Sequence, residues 1–354
     1  MLRFNELDGE QRRQLIDTHQ VFEACEVRRL VLEKRYAGSM RWGERGGSRY
    51  LLRKHGRSET SLGPRSAETE EVYRQFVDGR QRVAEEVKSL EGRLERLAAV
   101  NSALGIGRVP KLTARILRRL GDAGVLGRNL HVVGTNALFA YESSAGVRFE
   151  SAVPAPGDPG LLMDARRRLR LAIADMREEG VLGILRRVDK SFELDRAHAY
   201  RVFNRDGFCV DLIRPQARNE VNQRGMDRIG QAEYDLDGAP IRGLDWLVNA
   251  PKVSAVALDE SGFPVRIEAV DPRAFALHKA WVSGLPDRDP IKKFRDREQA
   301  EAVASLSVRY LNLSFADRDL TALPRELRDQ AAALLAAATP PAPVEGAEGK
   351  PNWW

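Results

Sequence analysis

The sequence predicts an α+β (mixed α/β) protein: a small mixed sheet, preceded by a helical arm that carries a β-hairpin and followed by a helical unit. Three patterns carry that expectation. Strand-like and helix-like segments alternate from 131 to about 271. A long amphipathic run lies upstream of them, and from Pro272 onward apolar residues recur at helical rather than strand spacing.

The arm, residues 1–127, opens with a helix over 10 to 36 that presents Leu15, Ile16, Phe22, Val27, Leu30 and Val31 on a face interrupted by arginines. GSMRWGERGGSRYLLRKHGR then alternates around Gly46-Gly47, as a hairpin at about 38–57 would. Met40, Trp42, Tyr50 and Leu52 are its larger apolar side chains. Arg41, Arg45, Arg49, Arg53, Lys54 and Arg57 make it basic, against Glu44 alone within it. TSLGPRSAETE reads as a loop into a helix from about 67 to 100, where Val72, Phe76, Val83, Val87, Leu90, Leu94 and Leu97 recur at helical spacing. Gly105, Gly107 and Pro110 end it, and LTARILRRLGDAGVLG forms a short helix stopped by Gly124 and Gly127.

The core, 128–271, begins with the buried strand of Val132 and Val133. Gly134 turns the chain, and Thr135 or Asn136 caps a helix carrying Leu138, Phe139 and Tyr141. Further helices are expected over 164 to 178, capped by Asp164, and near 180 to 188, with strands at 199 to 204 and 207 to 213. A hairpin over 253–258 and 264–269 turns at ESGF. FALHKAWVSG, PIKKFRDREQAEAVASLSVRYL and LPRELRDQAAALLAAA make the helical unit, 272–338. The tail 339–354, rich in Pro, Gly and Ala, is expected to be disordered.

A chain of 354 residues, 43% hydrophobic and 31% charged, is long enough for more than one domain and reads as soluble. It has no apolar run of the roughly 20 residues a membrane span needs, and MLRFNELDGEQRRQL contains no signal-like segment, so a cytoplasmic protein is expected. Cys25 and Cys209 stand far apart, without metal-ligand or disulfide spacing.

Two places suggest chemistry. In GFCVDLIRP, Asp211 sits in a run that should be buried, where a lone carboxylate is costly; it is either a site residue or the partner of Arg214 or another nearby arginine. The Gly134-Thr135 turn is either a plain strand-to-helix junction or a set of backbone N–H donors facing an anion.

The order of VVGTNALFAYESSAGV, GDPGLLMDARRRL, RRVDKSF, GFCVDLIRP and DPRAFALHKAWVS, with GSMRW, YLLR, TSLGPRSAETE, LGIGRVP and RDREQA around them, resembles a bacterial family of nucleotidyltransferase-fold proteins. That family falls within the DNA polymerase β-like nucleotidyltransferase superfamily, and the blocks span roughly 38 to 330. The resemblance implies Mg²⁺-dependent (or Mn²⁺-dependent) transfer of NMP from an NTP to an RNA, such as tRNA, or to a protein acceptor. It implies Asp158 and Asp211 as catalytic, metal-binding carboxylates. Gly134, Thr135 and Asn136 would receive the nucleotide, and Lys279, with Lys292, Lys293 and Asp296 one segment later, would stand near the triphosphate or else be solvated helix charges.

One departure matters. Where the family pattern carries Asp-x-Asp, this chain has Asp158-Pro159-Gly160, and Gly160 brings no ligand. The expected activity is therefore weakened, or the chain is a degenerate protein that binds nucleotide, RNA or a partner. The basic hairpin, with Trp42 and Tyr50 interleaved, would hold phosphates and stack bases, or be solvated and paired within the chain.

Overall fold

In a computed structural model of the chain, the residues described are 4–128, 130–150, 168–173, 180–216, 238–316 and 318–338. The chain divides into two compact units, a larger one of Met1–Leu7, Arg108–Ala257 and Val265–Trp354 and a smaller one of Asp8–Gly107 with Leu258–Pro264. Among the described residues, no helix is long and apolar enough to cross a membrane.

Strand β1 (Phe4–Glu6) belongs to the larger unit; the smaller unit starts with helix α1 (Gly9–Lys34). Asp8 caps α1 in a reciprocal box: its carboxylate accepts from Gln11 N at 2.8 Å, and the Gln11 side chain accepts from Asp8 N. Strands β2 (Ser39–Arg45), β3 (Ser48–His55) and β4 (Ser58–Pro64) follow as an antiparallel meander, then helix α2 (Ala67–Ala103). The expected hairpin is thus extended by a third strand, which takes up residues 60–64 of the segment read as a loop. Gly56 has φ +59°, a left-handed backbone that lets the chain reverse after β3.

α1 and α2 run antiparallel. Gln11 Nε2 donates to Leu104 O, the Thr18 hydroxyl meets the Asn101 amide, Arg28 pairs with Glu86, and Tyr36 lies against Gly79. A Cβ on Gly79 would come within 2.2 Å of the Tyr36 hydroxyl, so only glycine admits that ring.

In the larger unit, helix α3 (Lys111–Asp122) leads to strand β5 (Leu130–Val133), a 3₁₀ turn (Gly134–Ala137), helix α4 (Leu138–Ala145) and strand β6 (Val147–Phe149), which pairs with β1. Then come strand β7 (Arg168–Ile173), helix α5 (Val181–Val188), and strands β8 (Glu193–Leu194), β9 (Arg201–Phe203), β10 (Cys209–Pro215) and β11 (Ala239–Ile241). Helix α6 (Leu244–Asn249), strands β12 (Lys252–Leu258) and β13 (Pro264–Val270), and helices α7 (Pro272–Ser283), α8 (Pro290–Arg309), α9 (Arg325–Arg328) and α10 (Ala331–Ala338) complete the unit. The tip of the β12–β13 hairpin belongs to the smaller unit.

The sheet is mixed, in the order β12-β13-β5-β7-β10-β9-β8, with β11 beside β10. β7 is antiparallel to β5 and parallel to β10. This corrects the helix expected over 164 to 178: 168–173 is a strand, and its RLRLAI alternates with the period of two that strands have. The expected cap at Asp164 lies outside the described residues, as does the tail 339–354. The last expected helix is divided at a turn where Gln330 N bonds back to Leu327 O.

The core is closed by Tyr141 and Phe275, whose rings meet edge to face at 5.5 Å, with the Tyr141 hydroxyl donating to Val270 O. Glu142, next to Tyr141, is buried as well. Its Oε1 accepts from Phe149 N at 2.8 Å and from Arg108 Nη2 at 3.0 Å. Burial outweighs Arg108 and lifts its pKa from 4.5 to about 6. A pKa raised on folding contributes stability that is complete below about 4.5 and lost as pH rises through about 6. Urea denaturation of the natural protein and of Glu142→Gln should therefore show the natural protein losing about 2 kcal/mol relative to the variant between pH 4 and 7. Parallel pH profiles would contradict the assignment.

Candidate functional site

All four residues of β5 are buried, and the strand ends at Gly134, whose φ of +68° favours glycine. The chain does not enter α4 through a side-chain cap. Neither Thr135 nor Asn136 caps it; Val133 precedes the 3₁₀ turn and Ala137 ends it, neither with a side-chain cap bond, so the tighter turn itself leads the chain into the helix. Asn136 is buried. The Thr135 hydroxyl accepts from Gln299 Nε2 at 3.3 Å, which ties the turn to α8.

The sheet register fixes where Asp211 stands relative to that turn. Val133 pairs with Arg170 on β7, Arg170 pairs with Asp211 on β10, and Asp211 pairs with Arg201 on β9. Val133 and Asp211 therefore stand at one level, two strands or about 10 Å apart. Asp211 is buried, and its carboxylate is held by the Arg201 guanidinium, Nε to Oδ1 at 2.7 Å and Nη2 to Oδ2 at 3.2 Å. The arginine anticipated as its alternative partner is thus Arg201. Two strands of ordinary alternation, AYRVFN and FCVDLI, form the pair by setting the residues directly opposite one another.

Helices α7 and α8 supply a second buried charge cluster. Lys279 is not a solvated helix charge: it is 8% exposed and bonds Asp296 Oδ1. Asp296 is fully buried and also accepts from Arg288 Nε at 2.9 Å and Nη2 at 2.6 Å. Burial opposes ionisation of Asp296, yet the two cations hold its pKa below the usual carboxylate value. His278, beside Lys279, is pushed down to about 3 by burial and by the Lys279 charge, so it is neutral at physiological pH. Lys292 is exposed and Lys293 half-buried, and Lys293 Nζ donates to Pro286 O.

Asp296 and Gln299 are three residues apart on α8 and share a face. The Lys279 cluster therefore lies about one helical turn from the contact with Thr135. Arg288, Gln299 and Arg201 were not picked out from the sequence. The signal for Gln299 was a polar residue at helical spacing from Asp296; Arg288, in a loop, gave none.

Asp158 and Gly160 lie outside the described residues. Among the described residues, no three His, Cys, Asp or Glu side chains gather in a way that could hold a metal ion. The strand between β5 and β10, RLRLAI, contains no carboxylate, and both oxygens of Asp211 face Arg201. Of the two carboxylates that the resemblance implies as metal ligands, Asp211 alone is among the described residues, and its carboxylate is held by Arg201.

The sheet with its glycine turn, the level acid two strands away and the flanking helices define a nucleotidyltransferase-like core. The family model NTP_transf_8, described as nucleotidyltransferase, matches residues 111–324, and the chain belongs to that family. No curated protein and no solved structure matches it.

Removing Asp296 would leave Lys279 and Arg288 facing each other without a counter-charge. Asp296→Asn should cost about 3–5 kcal/mol of stability, and Lys279→Gln less, because Arg288 remains to pair with the carboxylate. Equal losses in urea denaturation would contradict this account.

Proposed function

We propose that the chain binds an NTP against the Gly134 turn and the α7–α8 wall. There it carries out its family's reaction, NMP transfer to an RNA or protein acceptor, at a reduced rate. The observation that carries this reading is the shared level of Val133 and Asp211 across the sheet. Backbone N–H groups of Gly134, Thr135 and Asn136 would meet phosphate oxygens. Lys279 and Arg288 share the single charge of Asp296, so their cluster keeps one net positive charge that a phosphate would offset.

In the transfer, the acceptor hydroxyl oxygen bonds to the α-phosphorus as the bond to the β-phosphate breaks, pyrophosphate leaves with that electron pair, and the hydroxyl proton passes to water. The resemblance implies Mg²⁺ or Mn²⁺ as the ion that offsets the charge; because Asp158 lies outside the described residues and Arg201 holds Asp211, no step is assigned to it. Two features support a reduced rate: Gly160 stands where the family carries its second carboxylate, and Arg201 occupies Asp211. The Arg201 pair also favours a second reading, in which the chain binds nucleotide without turning it over.

Calorimetric titration with each of the four NTPs, and labelling of RNA and protein extracts with an α-phosphorus-labelled NTP, test the proposal. Binding of at least one NTP is expected, with labelling far below about 1 s⁻¹. Gly160→Asp combined with Pro159→Ile should raise labelling at least tenfold. Absence of heat with every NTP would remove the nucleotide site; labelling near 1 s⁻¹ in the natural protein, unchanged in the variant, would show that Gly160 weakens nothing.

A further inference from the structure

Residues 34 to 59 contain eight Lys and Arg against two Glu, an excess of six positive charges, and the whole chain carries +6. The rest of the sequence therefore sums to zero, and all of the net charge sits on the end of α1 and the β2–β3–β4 meander.

The strand register sorts these charges onto two faces. Trp42, Arg49, Leu51 and Arg53 share the face toward α2. Leu51 is fully buried, the Arg53 guanidinium lies 4.1 Å from the Phe76 ring centroid, and Trp42 meets Tyr73 at 5.8 Å. Arg53 and Trp42 are thus committed to the fold, contrary to the expectation that Trp42 would stack bases. The opposite face carries Arg41, Arg45, Tyr50, Leu52 and Lys54.

Gly43 lies directly opposite Tyr50 and bears no side chain. Leu52 fills that space, 2.5 Å from where a Cβ would be, leaving a low apolar strip beside the Tyr50 ring. Glu59 neutralises Arg41 through a paired contact at 2.9 and 3.1 Å. Arg45, Arg49, Lys54 and Arg57 are exposed and have no acidic partner among the described residues. Arg45 and Arg49 flank one turn and Arg57 lies in the other, about 20 Å apart along β3.

We propose that this outer face of the meander binds a single strand of RNA, with phosphates on Arg45, Lys54 and Arg57 and a base stacked on Tyr50. The span covers about six phosphates of a stacked strand at roughly 3.4 Å each, and an aromatic platform flanked by cations is what strand binding requires. The choice of RNA over other polyanions rests on the acceptor class proposed above. The surface itself rests on the charge and the register.

The test measures binding alone, without NTP, so its result is independent of transfer. With full-length protein and a fluorescein-labelled 12-nucleotide single-stranded RNA, anisotropy across a KCl series should give a slope of log K against log salt of about −2 to −3. R45A/K54A/R57A should weaken binding at least tenfold and flatten the slope by about 2. R82A/R93A/R96A, which removes the same charge from exposed positions on α2, should leave binding within twofold, and Tyr50→Ala should cost about tenfold. Equal losses in the two triple variants, a salt-independent affinity, or tighter binding of the matching DNA or of poly-glutamate would overturn the proposal. Circular dichroism of each variant separates lost binding from lost fold.

Discussion

A carboxylate taken out of water must be met by a cation, and the larger unit is organised by meeting that demand. Asp296 holds Lys279 of α7 and Arg288 of the connecting loop, so the two helices cannot slide along one another without separating charges in a dry interior. Asp211 fixes β9 against β10 through Arg201. Glu142 fixes the end of α4 to Arg108 and to the start of β6. In each case the acid and its partner come from different elements, so the pairs specify arrangement, while the apolar residues around them supply most of the stabilisation.

The same demand separates fold from chemistry. The family's turn, sheet and flanking helices are present, and membership follows from a match that covers most of the larger unit. What a nucleotide would meet is a different matter. An acid opposite an arginine on the neighbouring strand is already neutralised, and a lysine bonded to a buried aspartate has given part of its charge away. Both residues can hold a polar wall in place. Their availability to a substrate depends on whether a ligand's charge repays the loss of the existing partner.

Much of this was legible in the sequence, for reasons that differ by element. The helices α2 and α3 carry apolar residues on one face at helical spacing, and the β12–β13 hairpin has two apolar runs around a glycine turn. The segment RLRLAI misled because the arginines preceding it resemble a wet helix face, although its own alternation is that of a strand. Strand β4 was hidden because SETSLGP is polar, with glycine and proline at its end, and it exists through pairing with β3 rather than through its own propensity. The positions of Gly134, Asp211 and Lys279 could be named. Their partners Gln299, Arg201 and Arg288 could not, because a pairing across elements leaves no mark on local periodicity.

The Asn101 amide donates to the Gly262 carbonyl at 2.8 Å, across 161 residues of chain. On the ribosome, at roughly 5–20 residues per second, the acceptor is made about 8 to 30 s after the donor. Throughout that interval the helical hairpin of α1 and α2 is complete except where the tip of β12–β13 belongs, and a buried amide at its end faces solvent. The smaller unit, though mostly formed from the first hundred residues, is therefore finished only once most of the larger one has been synthesised.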